Sequence, residues 1–304
     1  MSRRERLEAL FGTGPVSSLL PHVDARIAAL GLHEPMPVDD EDDDEDPREL
    51  LWWLLRMAAH THQREAFVAD EDPATLVAFE ALVESRPEAD EEHAQMMIDA
   101  RSSLARARAI RSYTTGSVLA VGDDDATVLA LALLDSKAAH AGRLAAADID
   151  PAVLAFLVAS AKSIGATVDA RRADVFEDAP DAEWEGTFDA AVTDPVRSFD
   201  ACLAFVTYAR RAVRSGGLVF LADHPDWNLE LDEVLAHAAD ELGLRLVRTL
   251  PLVHAYPIDA TWVPDPEAKA AELAERGVNV DPSWLRALVD DVCGCTNLYV
   301  LQAD

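Results

Sequence analysis

Apolar and polar positions alternate in two different ways along this chain. Over residues 1–36 the apolar positions of LEALF and VSSLLPHVDARIAALGL fall three and four apart, the spacing of helices with one buried face. ELLWWLLRMAAHTHQ, DPATLVAFEALVES and DEEHAQMMIDARSSLARARAI continue this helical pattern. From residue 116 short apolar runs of strand length alternate with helical segments. SVLAVG, GRLAAADID, VDARRADVF, FDAAVTDP, LVFLAD, LRLVRTLPLV and NLYVLQ read as strands or strand ends. ATVLALALLD, PAVLAFLVASAKSIG, SFDACLAFVTYARRAVRSGG and LELDEVLAHAADELG read as the helices between them. Short strands separated by helices of about 10–15 residues predict a parallel sheet covered on both faces. The expected fold is therefore α/β: a doubly wound, Rossmann-like sheet over 113–304, preceded by a mainly helical region over 1–112.

In doubly wound sheets ligands sit at the carboxyl ends of the strands. Polar chemistry collects at those ends here. Gly122 closes the first strand, where a missing side chain allows close approach of a ligand. Asp148 and Asp150 end the second, about 25 residues further on, where a carboxylate binds ribose hydroxyls. Asp150 precedes Pro151 and reads as a helix cap. Asp174 and Val175 follow the third strand, an acid beside an apolar residue that suits the amino edge and ring of adenine. Asp194 and Pro195 end the fourth. In order and spacing these resemble the nucleoside site of S-adenosylmethionine-type transferases.

The turn after the first strand sets this chain apart. VLAVGDDDATVLALALL places Asp123, Asp124 and Asp125 between strand and helix, and it lacks the glycine-rich GxGxG loop of methyltransferases. One aspartate at a helix start is favoured by the helix dipole. Three repel one another, and a ligand of opposite charge would relieve them. GDDD, the DID after the second strand and the TDP after the fourth resemble the branched-chain polyamine synthase family, N4-bis(aminopropyl)spermidine synthases, over roughly residues 93–225. That resemblance implies a class I methyltransferase-type catalytic domain, an N-terminal winged-helix-like domain and, in many members, a dimer. It implies transfer of an aminopropyl group from decarboxylated S-adenosylmethionine to an amine such as spermidine, with one of Asp124 and Asp125 beside the accepting nitrogen and Asp194 lining the site. Asp123, nearest the glycine, is expected to hold the donor's ammonium, and Gly122, Asp148, Asp174 and Val175 its nucleoside. Intact S-adenosylmethionine carries a carboxylate that an acidic pocket repels. The loop departs from the family's DPPY: it reads Asp194-Pro195-Val196-Arg197, which puts a positive charge near the expected acceptor. An S-adenosylmethionine-dependent methyltransferase and a non-catalytic nucleoside-binding protein are the alternatives.

Charge narrows the partners. The 304 residues carry 26 basic and 56 acidic side chains, a net charge of −30. Such a surface repels phosphate backbones and attracts cations, so a cationic small molecule is expected and nucleic acid is not. Eight consecutive acidic residues, 39–46, read as a solvated loop without a catalytic part, and removing them still leaves −22. Only three lysines (Lys137, Lys162, Lys269) occur, a composition that a GC-rich genome and a salty cytoplasm also produce. No run of about 18 apolar residues occurs, so neither a membrane span nor a secretory leader is expected. Three cysteines (Cys202, Cys293, Cys295) without framework spacing fit a reducing cytoplasm, and no metal site is expected.

Overall fold

The computed structural model describes residues 1–33, 46–67, 72–138, 142–258 and 261–304. All but the last residue of the acidic run 39–46 lies outside the described residues. Two compact units emerge, one formed by 1–69 and 255–295, the other by 70–254 and 296–304. The expected single boundary at 112/113 is not where the contacts divide. The helices Pro73–Val83 and Ala100–Tyr113 pack with the sheet domain, because Phe79, Leu104, Ala107 and Ile110 bury their side chains in its core.

The first unit is helical in its N-terminal part. Arg3–Leu10, Leu20–Ala29 and Pro47–Phe67 are helices, and no strand occurs among the described residues of 1–67. Ser2 caps the first through a reciprocal pair of hydrogen bonds with Glu5. Leu7, Leu51, Leu54 and Leu55 are fully buried, as a three-four spacing requires. Two further helices, Pro266–Glu275 and Pro282–Asp291, complete this unit, each opened by an aspartate cap and a proline. Arg6 pairs with Asp291 at 2.6 Å, and the Trp284 indole donates to the Leu10 carbonyl at 3.2 Å. Cys293 and Cys295 are buried here with their sulfurs 3.4 Å apart, beside the Thr61 hydroxyl. Among the described residues no helix is long and apolar enough to cross a membrane.

The second unit is built on seven strands: β1 (Val118–Val121), β2 (Leu144–Asp148), β3 (Val168–Arg172), β4 (Phe188–Thr193), β5 (Val213–Asp223), β6 (Leu244–Pro257) and β7 (Cys293–Ala303). Their order across the sheet is β3-β2-β1-β4-β5-β7-β6. β1 to β5 run parallel, and β7 is antiparallel to β5. This is the doubly wound, class I methyltransferase-type sheet. The order reverses beside β1, which starts one half toward β2 and β3 and borders the other at β4. The carboxyl ends of β1 and β4 therefore flank the crevice where such sheets bind ligands.

Burial on both faces explains the unbroken apolar strands. In β1, Val118 and Ala120 join one core with the helices Thr127–Ala138 and Pro151–Ser163, while Leu119 and Val121 join another with Phe199–Ala212 and Leu231–Asp240. One boundary differs from the expectation. The Gly216-Gly217 pair does not stop a helix: the helix Phe199–Ala212 ends earlier, and both glycines lie within β5. Gly217 has no room for a side chain, since a Cβ there would lie 2.8 Å from the Arg214 carbonyl.

Candidate active site

The turn after β1 begins at Gly122, whose φ of +68° is the left-handed region that glycine enters freely. A Cβ at this position would also lie 2.9 Å from the Phe205 ring. The turn closes on Ala126, left-handed at φ +57° without being glycine. A non-glycine residue held there stores strain, a feature that gathers at functional sites. Between these two residues the three aspartates face different surroundings.

Asp123 caps the following helix. Its Oδ1 accepts the Thr127 amide at 2.7 Å and its Oδ2 the Val128 amide at 3.0 Å. Burial pushes its carboxyl up to about 7, although the two amides pull the other way. Both oxygens thus serve the helix start, each with one lone pair left over. Asp125 is also committed. Its Oδ1 accepts the Ile98 amide at 2.7 Å, and its Oδ2 lies 3.0 Å from Nη1 of Arg106. Burial raises it to about 6 while Arg106 opposes the rise.

Asp124 differs. Among the described residues no donor reaches its carboxylate; only its backbone carbonyl is engaged, by Arg86 at 3.4 Å. Burial comes first in pushing its carboxyl well above the usual range, followed by the charges of Asp125, Asp194, Asp148 and Asp123. Five carboxyl groups therefore converge on the crevice, and among the described residues one of them has no hydrogen-bond donor.

The neighbouring strand ends complete the site. Asp148 accepts the Asp123 amide at 2.8 Å through Oδ2 and the Asp150 amide at 2.9 Å through Oδ1, and burial raises its pKa. It thereby ties the turn after β1 to the end of β2. Asp150 caps the helix Pro151–Ser163 through Ala152, as its position before a proline predicts, and also accepts from Gln95 at 3.3 Å. Asp174 lies two residues beyond β3, half-buried, with Oδ1 accepting the Phe176 amide at 3.1 Å. Val175 packs against the core on one sheet face, while the Phe176 ring stands largely in solvent. Asp194 follows β4 and is ion-paired with Arg106 Nη2. Arg197 also acts on the buried Asp223 at the end of β5: burial raises that carboxyl, and Asn228, the His224 amide and the charge of Arg197 oppose the rise. Asp223 is bonded by Asn228 at 2.7 Å and by the His224 amide at 2.7 Å. His224 turns its Nδ1 to the Asp226 amide at 3.1 Å.

Arg106 is the candidate site residue that the strand-end reading passes over. It lies on the helix Ala100–Tyr113, and only 1% of its surface is exposed. Besides Asp125 and Asp194 it reaches Thr127 Oγ1 at 3.2 Å and His254 Nε2 at 2.9 Å. The signal in the sequence is faint: an arginine at the spacing of Ser102, Ser103, Leu104, Ala107 and Ile110, which the helix buries. A buried arginine calls for carboxylates, and the GDDD turn supplies one.

Comparisons with known proteins agree with this architecture. Residues 75–221 match the family of the branched-chain polyamine synthase A C-terminal domain. The branched-chain polyamine synthase from Thermus thermophilus, solved with N4-aminopropylspermidine and 5'-methylthioadenosine, is 20% identical. It aligns over 99% of this chain and 88% of its own, with a TM-score of 0.59. Its C9 mutein, solved with the same two molecules, is 21% identical over 99% of this chain and 86% of its own, also at 0.59. A TehB-like methyltransferase from Corynebacterium glutamicum is 13% identical over 66% of this chain and 87% of its own, at 0.41. No curated protein matches significantly. Over residues 75–221, just under half of its length, this chain is similar to the branched-chain polyamine synthase family.

Proposed function

We propose that the protein is an aminopropyltransferase that moves the aminopropyl group of decarboxylated S-adenosylmethionine to a cationic polyamine such as spermidine. The observation that carries the reading is Asp124, a carboxylate that no donor reaches among the described residues and that four other carboxyl groups face. Such a group binds an ammonium and disfavours the carboxylate of intact S-adenosylmethionine. A transferase with an S-adenosylmethionine-type donor is supported by the family match, and by the 5'-methylthioadenosine and N4-aminopropylspermidine held by the Thermus thermophilus enzyme. Asp148 binds the donor's ribose in this reading. Each of its oxygens has spent one lone pair on an amide and keeps another for a hydroxyl. Asp174 and Val175 border the adenine, and Gly122 lets the donor approach the backbone.

In the reaction the acceptor nitrogen attacks the propyl carbon bonded to the sulfonium. The N–C bond forms, the C–S bond breaks, and its electron pair stays on sulfur to give neutral 5'-methylthioadenosine. The nitrogen's proton passes to Asp124. Approach of the acceptor cation favours the ionised form of Asp124, so binding itself prepares the base. Asp125 and Asp194 stay paired with Arg106 and shape the acidic wall. The test is mass spectrometry of spermidine incubated with the full chain and either donor. A product heavier by one aminopropyl group supports the reading, and Asp124→Asn should slow its formation by ~10²–10⁴-fold. Methylated product from the intact donor, with none from the decarboxylated one, would make the protein a methyltransferase.

A further inference from the structure

Arg106 carries more than its share of the site. A guanidinium offers five N–H donors in a fixed plane. Here Nε meets His254, Nη1 meets Thr127 and Asp125, and Nη2 meets Asp194. The partners come from separate places in the chain: the turn after β1, the loop after β4, and β6. His254 is fully buried. An arginine N–H can only donate, so His254 Nε2 accepts, and its proton sits on Nδ1 facing Thr296 Oγ1 at 2.9 Å. The imidazole is thereby neutral beside the guanidinium, and β7 fixes its tautomer through Thr296.

We propose that Arg106 is the positioning residue of the ligand edge: oriented by His254 and Thr296, it draws Asp125 and Asp194 together and leaves Asp124 as the one carboxylate presented to a cationic amine. The amine part rests on the reaction proposed above. The arrangement divides five like charges by task. Asp123 and Asp148 each accept two backbone amides, and Asp125 and Asp194 are paired with Arg106. A lysine in place of Arg106 would bring the charge but not the fork that reaches two carboxylates and an imidazole at once.

The role predicts a titration that follows His254, a residue that touches none of the carboxylates in the hydrogen bonds described. Asp125 is faced by Arg106 from its helix, Asp194 from the loop after β4, Asp123 and Asp124 from its own turn, and Arg86 and the Ile98 amide from the segments before that helix. Carboxyl-13C-labelled aspartate in the full chain reads its midpoint by NMR, with the signal assigned by its loss in Asp125→Asn. Arg106→Gln should raise that midpoint by about 1–3 pH units, because an opposite charge in contact is removed. His254→Leu leaves the Arg106 Nε without an acceptor and should raise it as well. His254→Gln, which keeps an acceptor in place, should restore it. Thr296→Val reads the same relay with the shape kept, should the leucine variant not fold. An Asp125 midpoint indifferent to His254 and Thr296 in folded protein would overturn the proposal. Spermidine binding by calorimetry and aminopropyl transfer are measured on the same samples. A midpoint that follows His254 in a chain that neither binds spermidine nor transfers the group would refute the reaction and keep the positioning role. Transfer by a chain whose Asp125 ignores His254 would do the reverse.

Discussion

Asp123→Asn separates capping from amine handling within the GDDD turn. Asp123 is fully buried, with its carboxyl raised from 3.8 to about 7. Below pH 3.8 the group is protonated folded and unfolded, and it costs nothing. As pH rises from there, the unfolded chain releases the proton while the folded protein keeps it, so stability falls until the folded group also ionises near 7. The slope is about 1.4 kcal/mol per pH unit, which makes about 4 kcal/mol across the window and about 3 kcal/mol between pH 5 and 7. Asparagine has no such titration. It does have one carbonyl oxygen where Asp123 uses two, so it forfeits one of the amide bonds from Thr127 and Val128, about 1 kcal/mol at every pH. The variant should thus match the wild type near pH 5 and exceed it by about 3 kcal/mol at pH 8. Urea unfolding at pH 5, 6, 7 and 8 reads the difference, and transfer activity should stay within a few-fold of wild type. A stability difference that is flat with pH would refute the burial argument. A loss of turnover as large as that of Asp124→Asn would return Asp123 to the amine site.

Other changes probe the remaining parts of the edge. Asp148→Asn should weaken 5'-methylthioadenosine binding by on the order of 1.5–3 kcal/mol in calorimetry, the worth of a charged hydrogen bond; undiminished affinity would remove the ribose from Asp148. Gly122→Ala should destabilise by about 1–3 kcal/mol through its positive φ, beyond the contact with Phe205. Adding Phe205→Leu should recover only the contact, and full recovery in thermal melts would show that φ is not at fault. The rate of transfer should rise with pH along a limb lying above the ordinary aspartate range, since Asp124 is raised by burial and by its acidic neighbours and must be ionised to take a proton. That limb should vanish from the residual activity of Asp124→Asn, and a pH profile keeping it would assign the base elsewhere.

Much of this edge can be read from the chain because a parallel sheet converts sequence order into place. Gly122, Asp148 and Asp194 each close a short apolar run and Asp174 follows the more polar β3, and the topology brings the carboxyl ends of these strands to one side. What a strand end does with its carboxylate is less legible. Asp123, Asp124 and Asp125 are chemically identical in the sequence. Only the φ of Gly122 and Ala126 turns one to the helix, one to Arg106 and one away from both. Arg106 and His254 are separated by 148 residues, and neither sits in a motif. Helical periodicity marks Leu104, Ala107 and Ile110 and treats the arginine between them as an interruption. The reach of β6 to Pro257 is hidden in the same way, since a polar residue with a buried partner looks like the end of an apolar run.

The bond between His254 and Thr296 also bears on the order in which the protein is made. Emerging from the ribosome, the chain delivers Arg106 first, then the turn at Asp125, then Asp194. Five parallel strands can pair before β6 and β7 exist, and domains form as they are synthesised. At that stage the guanidinium has its carboxylates but lacks the imidazole that aims it. His254 arrives later, and its tautomer is fixed only when Thr296 follows, eight residues from the C-terminus. A chain cut short before β7 would keep the five parallel strands of the sheet and lose the hydrogen bond that fixes His254 beside Arg106. The last hydrogen bond of the relay therefore waits for β7, in the layer behind the site.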